Sequence, residues 1–266
     1  MVLKTAVIIA GGKGTRLGEQ TENIPKPLTL LRGKPILERI ILWLKNNGVQ
    51  NIVIGVAYKK EKIMDFFGDG SRFGVNIIYT VHDQHGGTGD AFRTAIEESG
   101  IEDENFYAMN GDQITDLQLE GFTNYHLKSD AIVTIMTVKL RSSFGIVKLD
   151  EHSKITKFHE KWTVSNVFIN SGIYIFNKKI KDYLGERSIE EHTFRKLCEE
   201  GKIYSFYYDG EWLTVNDKRE LKRAEEYLEK FDSLENSKSH VNEQEINKER
   251  LSSQKLEKIK DILRKG

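Results

Sequence analysis

The sequence feature that most constrains the fold is a glycine-rich stretch, residues 10–17, which directly follows an apolar run near the start of the chain. That run, Thr5–Ile9, is rich in β-branched residues, a composition typical of a strand buried in a parallel sheet. The stretch therefore leaves the carboxyl end of a strand. Glycines at positions 11, 12 and 14 allow a tight turn that brings backbone N–H groups close to an anion, and Arg16 adds a cationic fork for phosphate oxygens.

This loop predicts phosphate binding, although two better-known phosphate loops do not fit it. The dinucleotide pattern G-x-G-x-x-G fails because Leu17 stands where the last glycine is required, and a Walker A loop fails because no Gly-Lys-Ser/Thr closes the turn. A glycine-rich turn without a ligand stays open as an alternative. A second basic motif favours phosphate, because Lys26 stands between Pro25 and Pro27, two of the three prolines in the chain. These prolines predict an extended backbone that holds the lysine in place.

The pattern after these loops alternates between helices and strands. Apolar residues recur at helical spacing from Ile36 to Leu44, and buried strands are predicted at 51–57, 75–80 and 106–110. This order predicts an α/β fold, a three-layer sandwich with a mostly parallel central sheet, whose ligands gather at the carboxyl ends of the strands. Beyond residue 129, short strand-like runs separated by polar turns predict a small β-rich lobe that would hold an acceptor.

Two further motifs point to the same edge of the sheet. Asp112 follows the strand at 106–110, so its carboxylate is expected near the glycine loop, where it would suit Mg²⁺ together with phosphates and water. The alternative interpretation is an ordinary turn or helix-capping aspartate. Gly87 and Thr88 lie in a glycine-rich turn before a helix. Such a turn is either a simple connection or a place where a flat ring can lie against the backbone.

Taken together, residues 10–17, 25–28 and 33–36 resemble the sugar-1-phosphate nucleotidyltransferase family, the nucleotide-sugar pyrophosphorylases. The resemblance extends over about residues 2–231. It implies a Rossmann-like nucleotidyltransferase fold in which the glycine loop binds a nucleoside triphosphate and basic residues bind the reacting and leaving phosphates. The implied nucleotide-binding residues are Ala10, Gly11, Gly12, Gly14, Thr15, Gly87 and Thr88, and the implied catalytic residues are Arg16, Lys26 and Lys161.

The second half of the chain carries motifs similar to those that the family uses for the sugar phosphate. Gly145 lies in a segment similar to the family's Tyr-Gly-Val, Glu160 and Lys161 in one similar to its Phe-x-Glu-Lys, and Asn170 in one similar to its Asn-x-Gly-Ile-Tyr strand. The resemblance implies that these four residues bind the sugar phosphate. It also implies that Asp112 binds Mg²⁺ as the cofactor.

One position departs from the family's pattern. Thr214, in the segment 212–216, stands where the family usually has an aspartate that supplies a second metal ligand. Three alternatives stay open: Asp217 compensates, Asp112 holds the ion with the nucleotide's own phosphates, or activity has been lost.

The expected function is the transfer of a nucleotidyl group from a nucleoside triphosphate to a sugar 1-phosphate, giving a nucleotide sugar and pyrophosphate. The alternative is a non-catalytic, nucleotide-sugar-binding regulatory subunit of the same fold, which Thr214 favours. A glycosyltransferase is disfavoured, because residues 110–112 contain no Asp-x-Asp triplet. The sequence identifies neither the base nor the sugar.

Composition limits the partners and the location. Lys and Arg together number 40, as do Asp and Glu, so no net charge attracts nucleic acid or an anionic membrane surface. No stretch is long enough for a membrane helix. The single cysteine, Cys198, precludes an intrachain disulfide and favours a cytoplasmic location. It falls in a predicted helix over 190–199 and is interpreted as a small buried residue.

A change in composition predicts the domain boundary. Residues 1–231 are expected to form the nucleotidyltransferase domain, with a nucleotide-binding half at 1–116 and a sugar-phosphate-binding half at 117–231. Residues 232–247 are polar and predict a linker, and apolar residues between Leu251 and Leu263 predict a short amphipathic helix, so that 232–266 is a helical tail. This helix could dock on the sheet domain, pair the subunits of a homo-oligomer or stay mobile.

Overall fold

The structure is a computed structural model that describes residues 1–21, 23–142, 144–160, 162–185 and 187–230. The chain divides into two compact units, Met1–Leu221 and Lys222–Gly266, and the architecture below is that of the first. Of the second unit, residues 222–230 are described and are helical. The predicted linker and amphipathic helix at 232–266 lie outside the described residues, so the domain boundary at 231 stays a prediction.

Strands and helices alternate along the described chain. The strands are β1 (Thr5–Ile9), β2 (Leu30–Leu31), β3 (Lys34–Pro35), β4 (Asn51–Val56), β5 (Asn76–Val81), β6 (Asn105–Asn110), β7 (Gln113–Thr115), β8 (Val133–Arg141), β9 (Ile146–Leu149), β10 (Ile155–His159), β11 (Thr163–Asn177), β12 (Ile203–Tyr207) and β13 (Trp212–Thr214). The α-helices are α1 (Ile36–Asn46), α2 (Lys60–Phe67), α3 (Gly87–Ser99), α4 (Leu119–Leu127) and α5 (Thr193–Glu199). Residues 218–221, at the end of the first unit, are also helical.

Seven strands form the central sheet, in the order β12-β8-β11-β6-β1-β4-β5. β1 pairs in parallel with β4 and β6, β4 with β5, and β8 with β12. Only β11 reverses direction within this sheet, running antiparallel to both β6 and β8. The prediction of a mostly parallel sheet is confirmed.

Helices cover both faces of the sheet. Side chains alternate between the faces of a strand, and Val7, Val53 and Phe106 pack with α3 and α5 in one buried core. Tyr107, the next residue along β6, points to the opposite face, where its hydroxyl hydrogen-bonds to Thr123 of α4. The three layers expected from the sequence are therefore present.

The direction of the strands brings several loops to one edge of the sheet. β1, β4, β5 and β6 are parallel, so their carboxyl ends lie side by side. Ala10 N donates to Gly55 O at 2.8 Å, and Gly111 N donates to Ile9 O at 2.8 Å. The chain segments that leave β1, β4 and β6 thus begin next to one another.

A small β-rich lobe is attached to the sheet, as predicted. β9 and β10 form a separate antiparallel hairpin. β11 extends beyond the core of the sheet, where Thr163 pairs with Arg141 of β8. A second small antiparallel pair, β7 with β13, lies at the end of β6 and contributes to the candidate active site.

Two local predictions are wrong. Lys26–Leu28 form a turn of 3₁₀ helix, and only Pro25 before it is extended. Pro27 is tolerated in this first turn because its fixed φ suits a helix and its missing N–H is not required there. Cys198 is exposed, because Phe194 and Leu197 form the buried side of α5 and the next residue is turned about 100° around the helix.

Across the described part of the chain, no helix has both the length and the apolar character that crossing a bilayer requires.

Candidate active site

The candidate site is centred on the ammonium group of Lys26, which lies between loops from distant parts of the chain. Lys26 Nζ is 2.5 Å from Asp112 Oδ2 and donates a 2.9 Å hydrogen bond to Asn216 Oδ1. The same amide oxygen accepts a hydrogen bond from Arg16 Nη2 at 3.1 Å. Two cations and a carboxylate that were predicted separately are therefore joined by the Asn216 amide. We call these four residues, Arg16, Lys26, Asp112 and Asn216, the Lys26 cluster.

The carboxylate of the cluster is held from its other side. Asp112 Oδ1 accepts a hydrogen bond from Gln113 Nε2. Gln113 Oε1 in turn accepts from Trp212 Nε1 at 2.9 Å, and that indole also donates to the carbonyl oxygen of Ser171. The Asp112 carboxylate thus has a fixed orientation towards Lys26.

The amide of the cluster is held in a similar way. Asn216 Nδ2 donates to Thr214 Oγ1 at 2.7 Å, and the backbone N–H of Asn216 donates to Glu220 Oε2 at 2.7 Å. Thr214 pairs with Gln113 across the β7–β13 ladder. The residues that orient the carboxylate and the amide are therefore cross-strand neighbours.

The glycine loop lies directly against Lys26. Gly14 has a φ of +69°, and a Cβ added there would be 2.7 Å from Lys26 Cβ, so glycine is required on both counts. The carbonyl oxygen of Gly14 accepts a 2.8 Å hydrogen bond from Thr21 Oγ1. Loop and lysine are thus in contact.

The other predicted residues of this loop differ in exposure. Ala10 and Gly11 are buried, whereas Gly12 and Thr15 are exposed. The ring of His82 lies against Gly11, and its Nδ1 atom is buried without a hydrogen-bond partner among the described residues. Burial lowers the pKa of His82, so the imidazole beside the loop is neutral near pH 7.

The second predicted nucleotide segment begins α3 and is bound to another part of the chain. Thr88 Oγ1 donates to Glu190 Oε2 at 2.9 Å and accepts from the backbone N–H of Ile189 at 2.9 Å. The backbone of Gly87 lies against that of Arg187. These contacts give both residues a structural role, and their predicted contact with a base stays a prediction.

Two of the predicted sugar-phosphate residues are brought together in the small lobe. A Cβ added to Gly145 would be 2.6 Å from Phe158 Cζ and 3.1 Å from Glu160 Oε2, so both side chains fill the space beside this glycine. Asn170 instead holds the bulge in β11, since its Oδ1 accepts from Gly172 N at 2.8 Å and its Nδ2 donates to the Tyr174 hydroxyl at 3.0 Å. Lys161 lies outside the described residues.

The chemistry of the donors decides what metal site is available. Within the described residues, no group of three or more His, Cys, Asp and Glu side chains is placed to hold a metal ion. Thr214 supplies only a neutral hydroxyl, and Asp217 Oδ1 accepts from Glu220 N at 2.8 Å, the contact of a helix N-cap. The residues around Asp112 therefore fit a divalent ion if substrate phosphates supply further oxygen ligands.

Asn216 is the site residue that sequence reasoning missed. It belongs to the motif at 212–216, but its contact with Lys26 joins residues 190 positions apart, and no local pattern reveals such a contact. The only signal is an amide side chain two residues after Thr214, the position at which the family resemblance implies an aspartate.

Comparison with known proteins places this chain in a family. Residues 5–230 match the family model described as nucleotidyl transferase. The chain belongs to this family. It is 34% identical over 230 residues to the UTP–glucose-1-phosphate uridylyltransferase of Synechocystis sp., covering 79% of this chain and 59% of that protein.

Other relatives of this nucleotidyl transferase match over their full length. The chain is 29% identical to the D-glycero-α-D-manno-heptose 1-phosphate guanylyltransferase of Aneurinibacillus thermoaerophilus, and the match covers 85% of this chain and 99% of that protein. The crystal structure of HddC from Yersinia pseudotuberculosis has a TM-score of 0.68 and 29% identity, covering 85% of this chain and 100% of that one. By contrast, the chain spans only 54–61% of the length of three other relatives that it matches, including the Synechocystis protein.

Proposed function

We propose that this nucleotidyl transferase transfers a nucleotidyl group from a nucleoside triphosphate to a sugar 1-phosphate, releasing pyrophosphate. The observation that carries the proposal is the Lys26 cluster, in which Arg16 and Lys26 share the Asn216 amide oxygen beside the glycine loop. The reaction joins two polyanions, so the enzyme must hold them in line and offset their repulsion. Two cations at a loop suited to phosphates meet that requirement.

The mechanism needs no general base, because the attacking oxygen of a sugar 1-phosphate is already anionic near neutral pH. This oxygen attacks the α-phosphorus, a new phosphorus–oxygen bond forms, and the bond to the β-phosphate oxygen breaks so that pyrophosphate leaves with the electron pair. Arg16 and Lys26 stabilise the charge on the transferred and leaving groups. In the proposal, Gly145, Glu160, Lys161 and Asn170 bind the sugar phosphate.

Mg²⁺ is the metal of this proposal, with Asp112 as its protein ligand. A bound Mg²⁺ ion would neutralise phosphate charge. The cytoplasmic location expected from the sequence remains a prediction.

The proposal is tested by measuring pyrophosphate release with each of four nucleoside triphosphates against several hexose 1-phosphates. With the best pair, Arg16→Ala and Lys26→Ala are each expected to lower kcat/KM at least a hundredfold, about 3 kcal/mol. Lys4→Ala is a matched control, because its ammonium contacts Gly48 O at the opposite end of the sheet. Undiminished turnover in Arg16→Ala or Lys26→Ala would contradict the proposal.

The second candidate function is a non-catalytic nucleotide-sugar-binding subunit, and the observation that favours it is the neutral Thr214. Calorimetry distinguishes the two functions. Binding of a nucleotide sugar without pyrophosphate release from any triphosphate would select the regulatory subunit, whereas turnover selects the enzyme.

A further inference from the structure

We propose that Thr214 is a positioning residue whose hydroxyl orients the Asn216 amide and thereby fixes Lys26 and Arg16 in the site. Its predicted effect on turnover rests on the proposed function, whereas the contacts that define it do not. The proposal gives a role to Thr214, which stands where the family resemblance implies an aspartate.

The orientation of the Asn216 amide depends on the different chemistry of its two ends. Asn216 has an oxygen that accepts hydrogen bonds and a nitrogen that only donates them. Its Nδ2 donates to Thr214 Oγ1 at 2.7 Å, which leaves Oδ1 facing Lys26 Nζ at 2.9 Å and Arg16 Nη2 at 3.1 Å. The opposite orientation would set an NH₂ group against two cations. The two cations, which only donate, therefore select the orientation in which one oxygen accepts two charge-assisted hydrogen bonds, and the Thr214 hydroxyl holds the amide in that orientation by accepting from Nδ2.

The neutral hydroxyl also preserves the charge of the cluster. Arg16 and Lys26 carry two positive charges against the single negative charge of Asp112. A carboxylate at position 214 would orient the amide equally well, but it would add a second negative charge beside the lysine. With threonine, the cluster keeps one net positive charge for an incoming phosphate.

The backbone makes this arrangement rigid. Thr214 is paired with Gln113 in the β7–β13 ladder, and Val215 N donates to Asp112 O at 3.1 Å. The two groups that hold Lys26 are therefore fixed by the same pair of strands. Since the Lys26 side chain is only 12% exposed, its ammonium group has little freedom while both partners keep their orientation.

The proposal predicts different behaviour for Thr214→Val and Thr214→Ser. Valine keeps the shape and removes the acceptor, whereas serine keeps the hydroxyl. Thr115→Val is the matched control, because it removes a hydroxyl from the same two-stranded sheet, where Thr115 Oγ1 donates to Glu211 O at 2.9 Å without contact to the cluster.

The first readout is independent of activity and is the rate at which acetic anhydride labels Lys26, measured by peptide mass spectrometry. Thr214→Val is expected to raise this rate at least threefold, whereas Thr214→Ser and Thr115→Val stay near the wild-type rate. The second readout is pyrophosphate release. Thr214→Val is expected to lower kcat about tenfold, the effect of one lost hydrogen bond at the upper end of its range, with the KM for the sugar phosphate unchanged and with recovery in Thr214→Ser.

An unchanged labelling rate in Thr214→Val, or equal effects in Thr214→Val and Thr214→Ser, would overturn the proposal. If the wild-type protein releases no pyrophosphate with any substrate pair, the proposed function fails, but the labelling rates still decide the positioning role. If Thr214→Val does not fold, as judged by circular dichroism, Thr214→Ala provides the same loss of acceptor with less steric change.

Discussion

Lys26 and Asp112 are 86 residues apart in the sequence, and their Nζ and Oδ2 atoms are 2.5 Å apart in the fold. The contact joins the segment after the glycine loop to the turn after β6. The side chains are only 12% and 17% exposed, so their attraction is screened less than that of a surface ion pair. The two charges are therefore expected to couple more strongly than those of a surface ion pair.

A double-mutant cycle tests this coupling. Lys26→Met and Asp112→Asn are each expected to lower the free energy of unfolding, and the double variant less than their sum, with a coupling of about 1–3 kcal/mol in urea unfolding. Lys202 and Asp130 provide a control pair at the same 2.5 Å distance, but with side chains 38% and 64% exposed. Their coupling is expected below about 1 kcal/mol. Equal coupling in the two pairs would show that burial does not strengthen the Lys26–Asp112 contact.

Metal binding is expected to depend on the nucleotide. Because Asp112 is the carboxylate at the cluster and Thr214 is neutral, we expect calorimetry to detect Mg²⁺ or Mn²⁺ binding only when a nucleoside triphosphate is present. Asp112→Asn is expected to abolish this binding and the metal-dependent turnover. Asp217→Asn is the comparison, because Asp217 Oδ1 caps a helix, and it is expected to keep metal-dependent turnover. Tight metal binding without nucleotide, or unchanged metal dependence in Asp112→Asn, would contradict the assignment.

The buried His126 is expected to make stability pH-dependent. Its Nε2 lies 3.0 Å from Asn105 Oδ1, which can only accept, so Nε2 carries the proton and Nδ1 accepts from the Thr134 hydroxyl at 2.7 Å. Burial lowers the pKa of His126 to about 4, against 6.5 in an unfolded chain. The unfolded state therefore gains its proton first as the pH falls, and the stability contribution, complete above pH 6.5, is lost between about pH 6.5 and 4.

The expected loss is on the order of 3 kcal/mol over that range, from two and a half pKa units at about 1.4 kcal/mol each. Urea unfolding at several pH values measures it as the difference between the wild type and His126→Gln, which offers one donor and one acceptor but does not titrate. His152→Gln is the control, because its imidazole is 83% exposed. Parallel pH curves for the wild type and His126→Gln would rule out this origin of the pH dependence.

Substitution of Gly145 is expected to weaken binding of the sugar phosphate in the small lobe. Gly145→Ala places a methyl group 2.6 Å from Phe158 Cζ and 3.1 Å from Glu160 Oε2, so both side chains must move. If these residues bind the sugar phosphate, its KM is expected to rise about tenfold with a smaller change in kcat. Phe158→Ala in the same protein relieves the closer contact and is expected to recover part of the KM. A KM unaffected by Gly145→Ala would place the sugar phosphate elsewhere.

The sequence predicts the fold and part of the site for identifiable physical reasons. β-branched runs such as Thr5–Ile9 indicate buried parallel strands, and parallel strands bring their carboxyl ends together, so a common location for Arg16 and Asp112 was predictable. The conformation of Lys26 was not, because the same prolines are compatible with an extended segment and with the 3₁₀ turn observed. The exposure of Cys198 depends on the rotation of α5 against the core, which a seven-residue helix does not reveal on its own.

The details of the cluster could not be predicted because they depend on contacts between distant segments. Asn216 is recognised as a partner of Lys26 only when β13 pairs with β7. For the same reason, the sequence left Thr214 as an unexplained departure, whereas the structure pairs its hydroxyl with the Asn216 amide.

The fifteen-residue strand β11 limits how the small lobe could be exchanged between homologues. One end of this strand lies in the small lobe, and the other is hydrogen-bonded to β6, at whose far end Asp112 follows. Exchanging the lobe between two homologues would therefore cut through the middle of a shared ladder. On the proposed function, in which the lobe binds the sugar phosphate, a new acceptor preference is expected to arise more easily by point substitution within the β9–β10 hairpin than by recombination of whole halves.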